Sequence, residues 1–252
     1  MTAPSFEDHF GEMAQEYARF RPTYPRDLFA WLASIAPGRQ TAWDCGTGTG
    51  QAALGLTPFF QEVLASDPSA NQVAHAEPHP RIRYFVAPAE DSGLPDRSVD
   101  LITVAAAFHW FDLDRFYQEV RRVGRPGAIL AAWCYTKALI RPDLDALVED
   151  YYERVVGPYW PMDRRVVEGG YRRLPFPFAE ISPPSFEISA EWDLPRLLGY
   201  LGTWSATLRA ARATGKNPLR ELEPRLQALW GDPREVHPVR WPLGLRVGRL
   251  PG

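Results

Sequence analysis

Apolar residues recur at helical spacing near the amino terminus: Phe6, Phe10, Met13, Ala14 and Tyr17, then Leu28, Phe29, Trp31 and Leu32. That period predicts two amphipathic helices over residues 5–35. Arg21-Pro22-Thr23-Tyr24-Pro25 separates them, because neither proline fits inside a helix. From Thr41 the pattern changes to short apolar runs alternating with amphipathic segments. The runs Thr41–Asp44, Glu62–Asp67, Arg81–Ala87, Val99–Ala106 and Ala128–Tyr135 read as strands. Between them Ala52–Phe60, Ser69–Ala76 and Leu113–Val123 read as helices, and Gly124–Gly127 as a turn. Val99–Ala106 is almost continuously apolar, as expected of a parallel strand covered on both faces.

The second half is less regular. Leu144, Leu147, Val148, Tyr151 and Val155 make one helical stripe; residues 194–213 and Pro218–Leu229 read as further helical stretches. Val239, Trp241, Leu243, Leu245 and Val247 alternate with other residues, which predicts a half-buried last strand over 237–250, paired into the sheet through Ser185–Ala190. Five strands alternating with helices imply an α/β fold, a Rossmann-like, doubly wound, mostly parallel sheet of seven strands with right-handed crossovers. The expected organisation is one domain over residues 1–252. It comprises a helical segment at 1–35, a core at 36–135, a helical insertion at 136–184 and 193–232, and last strands at 185–190 and 237–250.

Composition narrows the reading. The 252 residues are 45% hydrophobic and 23% charged, ordinary for a globular chain long enough to bury a large core. A net charge of −3 gives no electrostatic footprint for nucleic acid or a membrane surface. Cys45 and Cys134 both lie in apolar strands and read as buried thiols, which suits a reducing cytosol. No apolar stretch approaches the roughly 18 residues of a membrane span. With no signal-type apolar core at the amino terminus either, a cytoplasmic location is expected. Lys137 and Lys216 are the only lysines among 28 basic residues, a hint of a GC-rich bacterial genome.

The chemistry concentrates at strand ends. Asp44 closes the first strand and is followed by Gly46-Thr47-Gly48-Thr49-Gly50, a turn in which a ligand can lie against bare backbone. The glycines fall at every second position, unlike the wider spacing of a dinucleotide fingerprint. Asp67 ends the second strand 21 residues after Gly46, where a carboxylate can accept hydrogen bonds from both hydroxyls of a ribose or, alternatively, cap the next helix. Glu90 follows the third strand, and Phe108-His109-Trp110-Phe111 follows the fourth. Ligands of doubly wound sheets bind at this carboxyl edge. Tyr17, Phe20, Arg21 and Tyr24 form an aromatic and cationic cluster beside helix-breaking prolines, either a lid or part of a packed helical pair.

The set Asp44-x-Gly46-x-Gly48-x-Gly50, Asp67-Pro68, Ala89-Glu90 and Phe108-His109-Trp110-Phe111-Asp112 resembles the class I S-adenosylmethionine-dependent methyltransferases that act on small molecules. The similarity is strongest to the type 11 subgroup that includes trans-aconitate methyltransferase. It extends through Tyr17 with Arg21-Pro22-x-Tyr24-Pro25, Pro158-Tyr159-Trp160, Tyr171 with Phe176-Pro177-Phe178, and Tyr200-Leu201-x-Thr203-Trp204-Ser205. The resemblance implies a cofactor site made of Asp44, Gly46, Thr47, Gly48, Gly50, Asp67, Pro68, Gln72, Ala89, Glu90 and Ala105. It implies a catalytic wall at His109 and Trp110, a lid or substrate surface at Tyr17, Arg21, Tyr24, Trp160 and Trp204, and no metal. Two positions depart from the subgroup. Pro88 stands where many relatives carry an acid that meets the adenine amino group, which shifts that contact to the Ala89 backbone or Glu90. Ala106 replaces a glutamine common after the fourth strand.

The implied reaction places an acceptor in line with an activated methyl and excludes water, positioning that can supply roughly 7–11 kcal/mol. His109 is either a base toward a hydroxyl, amine or carbon acid, or a neutral wall, since a carboxylate acceptor needs none. The expected partner is a small organic acceptor methylated on oxygen by a monomer or homodimer, without nucleic acid or membrane. The alternatives are a cofactor-binding protein without catalysis and a methyltransferase acting on a macromolecule, with a nicotinamide-dependent oxidoreductase disfavoured by the glycine spacing.

Overall fold

The computed structural model describes residues 23–135, 137–160 and 165–252. Tyr17, Phe20 and Arg21 of the expected lid lie outside the described residues. The helix Arg26–Ile35 precedes β1 (Thr41–Cys45); the helix Gln51–Leu56 then leads to β2 (Glu62–Asp67). A one-turn helix, Ala70–Ala74, precedes β3 (Ile82–Val86), and β4 (Val99–Ala105) follows. The helix Leu113–Val123 connects β4 to β5 (Gly124–Tyr135). No helix among the described residues is long and apolar enough to cross a membrane.

Strands β1 to β5 pair in parallel in the order β3-β2-β1-β4-β5, so the winding reverses between β1 and β4. That reversal opens a crevice at the carboxyl ends of β1 and β4. The pleat sends alternate residues to opposite faces. Trp43, Ile102 and Val104 join Phe108, Phe116 and Val120 on one face; Ala42, Leu101 and Trp133 join Leu28, Phe29 and Leu56 on the other. The expected turn at Gly124–Gly127 is part of β5, whose pairing with β4 shifts register between Val99 and Leu101.

The last strand corrects the expectation. β8 (His237–Arg249) pairs directly and antiparallel with β5 through Leu243–Arg249, without an intervening strand. Its first half, His237–Pro242, pairs instead with β7 (Glu187–Trp192), and its end also pairs with β6 (Ala179–Glu180). A 13-residue strand outruns the edge it joins, so its free half gathers a strand of its own and the sheet counts eight strands. β7 thereby becomes the floor of a cap. The helices Pro142–Asp150, Leu194–Gly202, Ser205–Thr214 and Leu222–Trp230 pack there around Trp192, Trp204, Trp230 and Trp241. The stretch expected as one helix over 194–213 is two, because Trp204 is extended between them.

Candidate functional site

The glycine turn is closed from beneath by Asp44. Its carboxylate, fully buried at the end of β1, accepts hydrogen bonds from Thr47 Oγ1 at 2.6 Å and Thr103 Oγ1 at 2.8 Å. Burial pushes the Asp44 carboxyl up to about 6, outweighing the two hydroxyls that favour its charged form. Thr47 N–H donates to the Ser66 carbonyl at 2.9 Å, which ties the turn to the end of β2.

The three glycines serve different ends. A Cβ on Gly46 would stand 2.7 Å from Ala107 Cβ and 3.2 Å from Phe111 Cζ, so this glycine lets the segment after β4 lie on the turn. A Cβ on Gly50 would meet the Tyr84 hydroxyl at 2.3 Å. Gly48 is left-handed, with φ +56°, and its nearest neighbour would be Gln72 Oε1 at 3.8 Å. Among the described residues this is the one glycine of the turn that nothing crowds, as close contact between backbone and a ligand requires.

Asp67 faces Gly48. Its Oδ2 accepts Gly48 N–H and its Oδ1 accepts Ser69 N–H, each at 2.9 Å. The cap of the following helix is Ser69, whose Oγ accepts Gln72 N–H, so Asp67 is not the helix cap. Gln72 is 6% exposed, and among the described residues neither its Oε1 nor Thr49 Oγ1 finds a hydrogen-bond partner. A buried acceptor without a donor is costly unless a ligand supplies one. A nucleoside-type cofactor fits these residues: backbone at Gly48, a carboxylate at Asp67, and an acceptor awaiting a donor at Gln72.

The third wall is the segment after β4. Ala106 takes a left-handed φ of 56°, and its N–H donates to the Trp133 carbonyl at 2.7 Å. Such strain in a non-glycine residue is held by its surroundings and turns the chain sharply out of β4, beyond Ala105, across the glycine turn. The short helix Phe108–Trp110 follows, with Phe108 buried and Trp110 45% exposed. Glu90 Oε1 accepts Asp112 N–H at 2.8 Å, which fastens this segment to the loop after β3. That loop is held from behind, because Ser92 donates its N–H to buried Glu119 at 2.8 Å. Burial alone would raise the Glu119 carboxyl; hydrogen bonds from Arg122 and Ser92 hold it below the ordinary range. Ala89 is buried in the core, and Pro68 and Pro88 flank the same edge.

His109 meets a partner from far along the chain: its Nδ1 lies 3.0 Å from the Tyr171 hydroxyl. The lid and substrate candidates are less concentrated. Tyr24 packs edge-on against Trp133 and Phe29, and Trp160 and Trp204 pack with Tyr152 inside the cap. Trp204 is 5% exposed, and packing accounts for it. An open cleft of about 480 Å³ at the opposite, amino-terminal edge of the strands, lined by Arg39, Phe59 and Arg81, holds none of the candidate residues. Among the described residues no group of three or more His, Cys, Asp or Glu has the arrangement of a metal site.

Thr103 and Tyr84 were not foreseen as parts of the site, and Tyr171 was marked only by the family resemblance, not as a partner of His109. A threonine inside the apolar run of β4 was a usable signal for Thr103; nothing local marks Tyr84.

Residues 43–132 match the methyltransferase domain family. A protein of Dictyostelium discoideum named as a methyltransferase candidate is 33% identical over 229 residues, 89% of this chain and 87% of that protein. A candidate S-adenosylmethionine-dependent methyltransferase of Saccharomyces cerevisiae is 35% identical over 128 residues, 47% of this chain and 44% of its own length. The solved structure of a type II methyltransferase candidate from Anaeromyxobacter dehalogenans superposes with a TM-score of 0.87 at 52% identity, covering 92% of this chain and all of that one.

Proposed function

We propose a function from one premise: the chain belongs to the class I S-adenosylmethionine-dependent methyltransferases. The reading is transfer of a methyl group to a small organic acceptor, on oxygen, in the crevice between the glycine turn and the segment after β4. When bound, S-adenosylmethionine supplies a methyl already activated on a sulfonium. The Gly48 backbone, Asp67 and Gln72 would hold it, with Glu90 keeping the Phe108–Trp110 segment in place. Gly46, Gly50, Asp44 and Thr47 give the turn its shape. His109 and Trp110 then line the acceptor side and exclude water, with Tyr24, and with Tyr17 and Arg21 outside the described residues, as the lid.

The observation that carries this reading is the contact of Ala107 and Phe111 with Gly46. It supports setting His109 and Trp110, which lie between those two residues in the chain, beside the turn that would hold the cofactor. A small acceptor over nucleic acid is supported by the net charge of −3, since phosphate binding recruits Lys and Arg surfaces. The test is transfer of tritiated methyl from S-adenosylmethionine across tRNA, total protein and a small-metabolite library. Label in metabolites alone is expected; label confined to the macromolecular fractions overturns the small acceptor.

A further inference from the structure

We propose that Glu119 and Arg122 are positioning residues for the cofactor: as a pair they hold the loop after β3 against the helix Leu113–Val123 and thereby set the width of the crevice, without touching the ligand. The proposal rests on the methyl-transfer reading above and deepens its cofactor half.

The loop is a wall of the crevice by its attachments. At its start Ala87 N–H donates to the carbonyl of Asp67, the residue that takes Gly48 N–H, at 3.2 Å. Glu90 Oε1 then accepts the N–H of Asp112, which caps the helix Leu113–Val123. The loop thus runs from the Asp67 side of the crevice to the segment that carries His109 and Trp110. Beyond Glu90 it follows the helix, and Ser92 meets Glu119 two turns from Asp112, about 10 Å further along the axis. A chain tied at both points can neither slide along the helix nor tilt away from it.

The second tie is the stronger one. Glu119 is 6% exposed, and its Oε1 accepts both Ser92 N–H, at 2.8 Å, and the Ser92 hydroxyl. Arg122 meets the same carboxylate with two parallel bonds, Nη2 to Oε1 at 2.7 Å and Nε to Oε2 at 2.8 Å. Its Nη1 donates to the Leu94 carbonyl and to Asp96 Oδ1, each at 2.7 Å. A planar guanidinium serves these three acceptors at fixed angles, which the point charge of a lysine cannot match. Leu94 and Ala89 also pack in one apolar cluster with Phe116 and Val120. That packing presses the loop onto the helix without setting a direction; the charged hydrogen bonds set it.

A second cluster of the same chemistry shows what the location adds. Asp100, in β4 and 3% exposed, accepts at Oδ2 the N–H groups of Gln40 at 2.9 Å and Thr41 at 3.1 Å, and Arg125 Nη1 at 2.7 Å. It ties down the chain entering β1, at the edge of the sheet opposite the crevice. Both carboxylates hold backbone with N–H bonds and one guanidinium, but only Glu119 holds backbone that borders the crevice. Weakening the Asp100 cluster should therefore lower stability alone, and weakening the Glu119 cluster should lower stability and cofactor affinity together.

The test compares matched substitutions in the full-length protein: Glu119→Gln with Asp100→Asn, and Arg122→Lys with Arg125→Lys. Chemical unfolding follows stability, and calorimetry follows S-adenosylhomocysteine binding at a temperature where every variant is folded. Glu119→Gln and Arg122→Lys are expected to weaken binding roughly tenfold, inside the about 2- to 30-fold range by which residues that touch no ligand shift affinity. Asp100→Asn and Arg125→Lys are expected to lower the unfolding midpoint and leave the affinity unchanged. Hydrogen exchange over residues 88–94 of the free protein should quicken in Glu119→Gln and Arg122→Lys only. Undiminished affinity in either Glu119→Gln or Arg122→Lys overturns the proposal, and so do equal losses of affinity at the Asp100 cluster. Should one of the two variants fail to fold, the other decides alone. Absence of binding by the unaltered protein defeats the cofactor reading itself, whereas binding that the variants share in full defeats only the positioning role.

Discussion

In the crevice, single polar contacts set the geometry: Asp67 takes the N–H groups of Gly48 and Ser69, Asp44 takes two threonine hydroxyls, and Glu90 takes Asp112 N–H. In the cap the same task falls to rings. Trp192 lies 4.6 Å from Trp241 and 5.3 Å from Tyr200, while Trp204 touches Tyr151, Tyr152, Trp160 and Tyr200. The difference follows from what each region contains. Buried rings stabilise by the area they remove from water and tolerate imperfect direction, whereas the crevice keeps carboxylates and backbone N–H groups in directional bonds around the space beside Gly48. An aromatic residue in the cap is therefore evidence of packing, and one beside the glycine turn is evidence of a site.

The sharpest way to break that contrast is Trp204→Ala. If the ring is core, the protein loses about 3–5 kcal/mol of stability in chemical unfolding while the affinity for S-adenosylhomocysteine is little changed. A small stability loss with a large loss of acceptor affinity would return Trp204 to the substrate wall.

Asp44 comes next. Its carboxyl is raised in the folded protein to about 6 from an unfolded value of 3.8, so between those pH values the folded state binds more protons. Stability from this group therefore falls as pH rises from about 4 to 6 and then levels, by about 2–3 kcal/mol in all. Asp44→Asn should flatten that part of the stability–pH curve. An unchanged slope would show that Asp44 titrates normally.

Asp67→Ala should weaken S-adenosylhomocysteine binding by about 1.5–3 kcal/mol, read by calorimetry, since hydrogen bonds to a charged group are lost. Because Asp67 also holds Gly48 N–H, hydrogen exchange at Gly48 should accelerate in the same variant. Unchanged affinity would remove Asp67 from the site.

The smallest expected effect is that of Gly48→Ala. The new methyl has 3.8 Å of room to Gln72 Oε1, but the left-handed backbone strains any L residue by about 1–2 kcal/mol. A modest drop in melting temperature with a larger drop in cofactor affinity is expected. If the two fall in step, the glycine serves the turn alone.

Much of the crevice was legible before the structure. Glu62–Asp67 and Leu113–Val123 appear with the boundaries their periodicity predicts, and the glycine turn follows β1 as its spacing requires. These features are local: a two-residue or 3.6-residue period, a glycine where φ is positive, and an acid at a strand end are written into a few neighbouring residues. Within this short range, residue order determined the alternation of strands and helices and set the glycine turn and the acids at the ends of their strands.

What the tertiary structure decided depends on residues far apart in the chain. β8 reads as one alternating strand, yet only the docking of its halves against β5 and β7 makes it the hinge between sheet and cap. Gly50 had to be glycine because Tyr84 lies beneath it, and Gly46 because Ala107 folds back on it. Tyr171 reaches His109 across 62 positions because Gly170 and Gly244 touch and Arg246 grips the carbonyls of Tyr171 and Leu174. Loop closure over such distances is bought by packing and burial, whose strength depends on the assembled neighbours and not on any local period.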